Sequence, residues 1–455
     1  MPIQRLGRDV RVLPTSAIDA DVILPGSKSL ANRFLVCAAL ACGESRLGGV
    51  TLSDDVRRVI DGLTALGVSV RVGAAVAPHT DCIDAGSHCD VLVNGVCGQF
   101  RVDEARIDAG AAGTAMRFLT AVACLARGDT RLDGTDRMRQ RPIAALVDGL
   151  RQLGARIDYD LGEGFPPLTV HGRGLTGGQA TFDAPPSSQF ISALLMAAPY
   201  AAQDVFLDIR GLLTSRPYVD MTLAAMRSMG VETLDATGDE GGRRFSRFIV
   251  PASQHYQPGA HAIEPDASAA GYFWAAAAIT GGRVRVRGLS SGSAQGDVKF
   301  VDVLEKMGCG VIRGADGIEV RGPAGGLRGV SVELNAMPDT VQTLAVLALF
   351  AGGPTTIRNV ANLRIKETDR ITALAVELIK LGARVETSED GLTIHPPEQV
   401  PAAEIDTYDD HRMAMSFALA GLRSPGVLIR EAGCVSKSFP KYFDALARLD
   451  LPDRR

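Results

Sequence analysis

From residue 362 to 385 the chain reads NLRIKETDRITALAVELIKLGARV, and its apolar positions carry a helical period. Ile371, Leu374, Ala375, Leu378 and Leu381 fall at i, i+3, i+4, i+7 and i+10, one face of an α-helix. Gly382 stands where that helix stops, and Arg384-Val385 begins a segment that predicts a strand. The pattern recurs in DGLTALGVSV (61–70), DGLRQLGARI (148–157), AAMRSMGVET (224–233) and DVLEKMGCGV (302–311). FDALARLDL (443–451) is a sixth copy without the glycine. The turn glycines at 67, 154, 230, 308 and 382 lie 74 to 87 residues apart.

A second, more apolar helix precedes each of these, from LANRFLVCAALACG in the first copy to HRMAMSFALAGLRS in the last. Short alternating segments follow, clearest in RVRVRGL (283–289), and a further strand leads into each copy: DVILPG, RIDAG, TFDAPP, AIEPD, VELNAMPD and EIDTYDD. The chain is therefore six copies of a β-α-β-α-β-β unit. A unit of this kind cannot cover its own core and must pack against its siblings. The expected fold is α/β, with two inside-out domains of three repeats each, helices buried and sheets outside. The expected limits are 21–261 for the N-terminal domain and 262–455 plus 1–20 for the C-terminal one, with an active site in the cleft between them.

Composition narrows the function classes. The chain has 455 residues, 46% hydrophobic and 22% charged, within the range of soluble globular proteins. Lys plus Arg is 48 against 52 for Asp plus Glu, a net charge of -4 that argues against a nucleic-acid or membrane-surface partner. Runs such as AAGYFWAAAAI fall short of the roughly 20 residues a membrane-spanning helix needs. MPIQRLGRDV lacks the apolar core of a signal peptide, so a cytoplasmic protein is expected. Eight cysteines are scattered without a CxxC pair, and Cys82, Cys89 and Cys97 beside His79 and His88 match no common zinc spacing. Reduced structural thiols and no metal are expected. GRGLTGG (172–178) matches G-x-G-x-x-G, but TFDAPP follows it where a dinucleotide site requires a helix.

Chemistry is expected where the copies differ, at the starts of their helices, because helix N-termini attract anions. The first copy opens with PGSKSLANR, carrying Lys28, Ser29 and Arg33. The second has AGAAGTAMR with Gly113, Thr114 and Arg117, then DRMRQRP with Arg137, Arg139 and Arg141. The third has Ser187, Ser188 and Gln189, then Ser215 and Arg216 in TSRPYVD. The fifth contributes Asp339, Asn362, Lys366, Glu367 and Arg370; the sixth contributes Asp410, His411, Arg412 and Lys437. The fourth offers only Asp266, Ser268 and QGDVKF and reads as mostly structural. A scaffold needs Ser, Thr or Asp caps, but it does not need cations at helix starts, where the dipole disfavours them. Lys28, Arg137, Lys366, Arg412 and Lys437 all break that preference. Together they point to small polyanions, with Asp339 and Glu367 the carboxylates available for proton transfer.

These segments, with SRPYVD, MPD, NLRIKETDR, YDDHRMAM and SKSFP, resemble the enolpyruvyl transferases over about residues 21 to 448. The resemblance implies transfer of the enolpyruvyl group of phosphoenolpyruvate to the 5-hydroxyl of shikimate 3-phosphate, without cofactor, by a cytoplasmic monomer. It implies that Lys28, Ser29, Arg33, Ser187, Ser188, Gln189, Ser215, Asp339, Asn362 and Lys366 hold shikimate 3-phosphate. Phosphoenolpyruvate would meet Lys28, Gly113, Arg137, Gln189, Arg370, Arg412 and Lys437. Asp339, Glu367 and Lys28 would be the catalytic residues. Two positions depart from the family pattern: Ala111 stands where Asn is usual and Phe118 where Pro is usual. The sister branch acting on UDP-N-acetylglucosamine carries a cysteine in the loop equivalent to DRMRQRP, and none is present here.

Overall fold

A computed structural model describes residues 2–76, 79, 81–86, 88–240 and 243–449. Twelve α-helices occur among them: α1 (Lys28–Leu40), α2 (Asp54–Ala65), α3 (Gly113–Ala123), α4 (Ala144–Gln152), α5 (Ser188–Ala197), α6 (Arg216–Ser228), α7 (Ala267–Thr280), α8 (Phe300–Lys306), α9 (Val341–Ala348), α10 (Arg370–Lys380), α11 (His411–Gly421) and α12 (Tyr442–Arg448). The periodic stretch around Ile371 is α10, with Ile371, Leu374, Leu378 and Leu381 fully buried. The five turn glycines have φ between +82° and +104°, a region in which a Cβ is strained. Each lets the chain leave its helix and enter the next strand. The end of the sixth copy, residues 450–451, lies outside the described residues.

Each repeat builds one sheet, six among the described residues. In the second repeat Glu104–Asp108, Asp129–Asp133, Leu168–His171 and Arg156–Tyr159 lie side by side in that order. The first pair is parallel and the other two antiparallel. A parallel pair needs a crossover, here α3, and all eleven residues of α3 are buried. Glu104–Asp108 instead alternates exposed and buried, so its sheet is packed on one face and solvated on the other. Helices inside and sheets outside follow from that difference in apolarity.

The chain divides into two compact units, each with its own core. Unit N comprises Ser27–Val76 and His88–Ile263; unit C comprises Met1–Gly26, Ala77–Ser87 and Glu264–Arg455. The limits differ from the expected 21 and 262 because two lead-in strands are exchanged. Asp19–Ile23, just ahead of the first repeat, pairs in parallel with Arg283–Arg287 of the fourth. Ala260–Ala262, just ahead of the fourth, pairs in parallel with Glu44–Thr51 of the first. The strands Ile3–Leu6 and Asp9–Val12 complete the sixth sheet by pairing onto Val427–Ile429. Among the described residues that repeat's hairpin is the one the N-terminal strands supply. Ile83–Asp84 joins unit C by pairing with Val22–Ile23. The glycine-rich run 172–178 leads into the strand Gly178–Asp183, which is not the helix a dinucleotide site requires.

The expectation that every thiol is reduced is corrected: Cys42 and Cys97 form a disulfide, with Cα atoms 4.2 Å apart. Their separation of 55 residues shows no sequence motif. The chain after His88–Asn94 folds back over the end of α1, with Val96 N–H donating to Ala39 and Cys97 N–H to Ala41, both at 2.9 Å. Cys37, Cys82, Cys89, Cys124 and Cys309 are buried free thiols.

Candidate active site

In unit N the helix starts expected to carry chemistry belong to neighbouring buried helices. α1 packs against α5 and α6, and α3 against α5. Ser27 caps α1, its hydroxyl accepting from Leu30 N–H at 3.4 Å. Lys28, the first helical residue, is offset by Asp55 at 2.9 Å, which sits in the first turn of α2. Arg33 is almost fully buried and has no carboxylate partner among the described residues. It donates to Thr222 Oγ1 at 2.7 Å and to the carbonyls of Ser29 and Tyr218 at 2.8 Å. Burial pulls its pKa down to about 10. Its guanidinium lies 5.4 Å from the centre of the Phe118 ring, so the unusual Phe118 helps seat this arginine.

Gly113 opens α3 against two guanidiniums. A Cβ there would fall 2.3 Å from Arg117 Nη1 and 2.7 Å from Arg141 Nη2. The adjacent Ala111 carbonyl accepts from Arg141 Nη1 at 3.4 Å. Gln189 Nε2 reaches Thr114 Oγ1 at 3.4 Å, joining the starts of α5 and α3. Ser187 caps α5 by accepting from Gln189 N–H at 3.3 Å, and Ser188 is buried beside it. Ser215 precedes α6 with φ +55°, a strained conformation for a residue with a side chain. Arg137 precedes the short 3-10 helix Met138–Gln140, and its Nη1 contacts Gln140 Oε1 at 3.4 Å. Arg139, in the same loop, is taken up by Asp133 at 2.9 Å.

Unit C holds a denser network. Asp339 lies in the turn Pro338–Thr340 ahead of α9, and Thr340 occupies the capping position. The Asp339 carboxylate accepts from Arg412 Nη2 at 2.6 Å and from Arg370 Nη1 at 3.4 Å. Arg370 also donates to Asp410 at 2.7 and 3.1 Å and to Glu367 at 2.9 Å. Burial opposes its charge, but Asp410 and Glu367 outweigh burial and hold its pKa above the ordinary value. Lys437 Nζ lies 3.4 Å from the other oxygen of Glu367. Arg412 Nη1 contacts the Tyr272 hydroxyl and the Asp339 carbonyl, both at 3.2 Å. Asn362 is buried in the 3-10 helix Ala361–Ile365, and Lys366 follows it, half-buried.

Sequence reasoning missed the fourth repeat's share. Asp297, in the short 3-10 helix Gly296–Lys299, is buried and accepts a hydrogen bond from Ser268. Desolvation, followed by the charge of Asp339, raises its pKa to about 7. QGDVKF carried the signal, since an Asp among buried apolar residues asks for a partner. Asp410 was noted, but its part in holding Arg370 could not be read from DDHRM. His411 is buried with its Nδ1 3.5 Å from Asp410 Oδ1.

Residues 12–446 match the family model described as EPSP synthase (3-phosphoshikimate 1-carboxyvinyltransferase). The chain is 48% identical over 438 residues to the 3-phosphoshikimate 1-carboxyvinyltransferase of Yersinia pseudotuberculosis serotype O:3 (strain YPIII), covering 96% of this chain and 97% of that one. Against the Vibrio vulnificus (strain YJ016) enzyme of the same name the identity is 46%, with the same coverage. A solved EPSP synthase from Acinetobacter baumannii superposes with a TM-score of 0.75 at 25% identity, covering 97% of this chain and 98% of that chain.

Proposed function

The chain belongs to the EPSP synthase family, and from that membership we propose how its own residues carry the family's reaction. It transfers the enolpyruvyl group of phosphoenolpyruvate to the 5-hydroxyl of shikimate 3-phosphate and releases phosphate, a step of aromatic amino acid biosynthesis. The hydroxyl oxygen bonds C2 while C3 takes a proton. The tetrahedral intermediate then loses one of the three methyl hydrogens at C3 as a proton, and phosphate from C2.

Two phosphates and two carboxylates need forked arginines and compact lysines. In the proposed assignment Lys28, Ser29, Arg33, Ser187, Ser188, Gln189, Ser215, Asp339, Asn362 and Lys366 serve shikimate 3-phosphate. Lys28, Gly113, Arg137, Gln189, Arg370, Arg412 and Lys437 serve phosphoenolpyruvate. The buried donors of Arg33 that engage Thr222, Ser29 and Tyr218 give it a share in fixing the α1–α6 contact as well. The enzyme acts as a cytoplasmic monomer. Among the described residues no helix is long and apolar enough to cross a membrane.

The observation that carries the mechanistic reading is the placement of Asp339. Its carboxylate is paired with Arg412 at 2.6 Å and Arg370 at 3.4 Å, which favours the ionised form a base requires. Asp339 removes the proton from the 5-hydroxyl. Glu367, between Arg370 and Lys437, and Lys28 move the proton at C3. The test is phosphate release from phosphoenolpyruvate with each of two acceptors. Release with shikimate 3-phosphate is expected, and release only with UDP-N-acetylglucosamine would overturn the reading.

A further inference from the structure

The substrate groups of unit N sit at the starts of α1, α3 and α5, but a cavity lies by their ends. About 550 Å³ in volume, it is lined by Cys97, Phe100, Leu125, Arg127, Arg173 and Tyr200 among others. The Tyr200 hydroxyl donates to Leu40 O at the last residue of α1. Leu125 and Arg127 follow α3 directly. A helix of 13 residues spans about 20 Å, so this cavity is about that far from Lys28. It does not belong to the substrate site.

Three features meet there. The volume falls within the range of small-molecule sites. Arg127 and Arg173 are exposed, and neither has a carboxylate partner among the described residues. Two such arginines over a floor of Phe100, Leu125 and Tyr200 suit an anion with a short apolar body. The third feature is sulfur: Cys97 lines the cavity, and its bonded partner Cys42 is exposed. A ring nitrogen of His255 lies within 4.8 Å of both sulfur atoms, placed to stabilise a departing thiolate.

We propose that this cavity is a thiol–disulfide exchange site for an anionic low-molecular-weight thiol, with Cys97 the sulfur attacked and Cys42 the resolving cysteine. The incoming thiolate, its carboxylates or phosphates on Arg127 and Arg173, forms a bond to Cys97 Sγ. The Cys42–Cys97 bond breaks and its electron pair leaves on Cys42, which takes a proton from water. A second thiolate attacks the mixed disulfide, releasing Cys97 as thiolate and the small thiol as its symmetrical disulfide. Two small thiols are oxidised as one protein disulfide is reduced. In reverse, the oxidised small thiol closes the pair.

The test uses the full chain and reads exchange rather than enolpyruvyl transfer, so its failure is distinguishable from failure of the proposed function. Oxidised protein is reduced with glutathione, with coenzyme A, and with neutral 2-mercaptoethanol. Each rate is normalised to the same thiol's rate with a free disulfide. At least one anionic thiol is expected to outpace the neutral one by about tenfold or more at low salt, the lower end of electrostatic steering. That advantage should vanish in the Arg127→Ala/Arg173→Ala double variant. Cys42→Ser, exposed to oxidised glutathione, should trap one glutathione on Cys97, located by peptide mapping. Equal normalised rates, an advantage that survives loss of both arginines, or a Cys42→Ser protein modified elsewhere would each overturn the proposal.

Discussion

Replacing Asp339 with Asn separates a proton-moving carboxylate from one that only neutralises arginine. The amide keeps an acceptor oxygen for Arg412 but removes the negative charge between two guanidiniums that are 2.6 and 3.4 Å away. Arg412 retains Tyr272 and the Asp339 carbonyl, and Arg370 retains Asp410 and Glu367. The loss in stability should therefore be about that of one charge-assisted hydrogen bond, roughly 1.5–3 kcal/mol. A full uncompensated buried charge would cost more, about 3–5 kcal/mol. The variant should remain folded and bind both substrates. Phosphoenolpyruvate should bind at least as tightly, because a carboxylate beside the anion's arginines has gone. Turnover should fall by about 10²–10⁴, the contribution of a positioned base. The assay is steady-state phosphate release over a matrix of both substrates, beside the thermal midpoint and binary titrations. A kcat within about tenfold of the parent, with the midpoint lowered as stated, would reduce Asp339 to a counter-ion and refute the reasoning.

Other variants probe the neighbouring contacts. Lys437→Ala should weaken phosphoenolpyruvate by about 1.5–3 kcal/mol in isothermal titration while leaving the binary affinity for shikimate 3-phosphate nearly intact. Gly113→Ala must displace Arg117 and Arg141, since its Cβ falls within 2.3–2.9 Å of their guanidinium nitrogens. It should raise KM for phosphoenolpyruvate more than KM for shikimate 3-phosphate, read from the same substrate matrix. Asp297 has a folded pKa raised to about 7 by burial and by Asp339. A raised carboxylate pKa means stability that is full at acid pH and lost as pH climbs from the unfolded value through the folded one. Denaturant titrations should thus show the parent losing on the order of 3 kcal/mol between pH 4 and 7 through this group, a loss absent in Asp297→Asn.

The repeat was legible because each copy carries two independent marks, an apolar helix and a turn glycine that needs positive φ. Exchange of the strands Asp19–Ile23 and Ala260–Ala262 was not legible. Both segments have the same alternating pattern, and nothing local tells a strand which of two similar sheets it will join. The N-terminal hairpin completing the sixth sheet is hidden in the same way. At the site, Lys28 and Arg412 in the first turns of α1 and α11 announced an anion because they oppose the dipole, whereas Lys366 and Lys437, expected at helix starts, lie at the ends of 3-10 helices instead. Their resting partners could not be read. Asp55 lies 27 residues from Lys28, and Asp410 lies 40 residues from Arg370. Asp339 looked like a cap because it stands one residue before the position that Thr340 fills.

Proton movement at C3 of phosphoenolpyruvate is the central step, and deuterium reports it most directly. The parent enzyme is run in heavy water with both substrates, and the product and recovered phosphoenolpyruvate are weighed by mass spectrometry. Addition followed by elimination passes through a methyl group, so deuterium should enter the vinyl carbon of the product. It should enter recovered phosphoenolpyruvate only when shikimate 3-phosphate is present. Product formed with no deuterium at that carbon would mean that C3 never takes a solvent proton, and would contradict the roles given to Glu367 and Lys28.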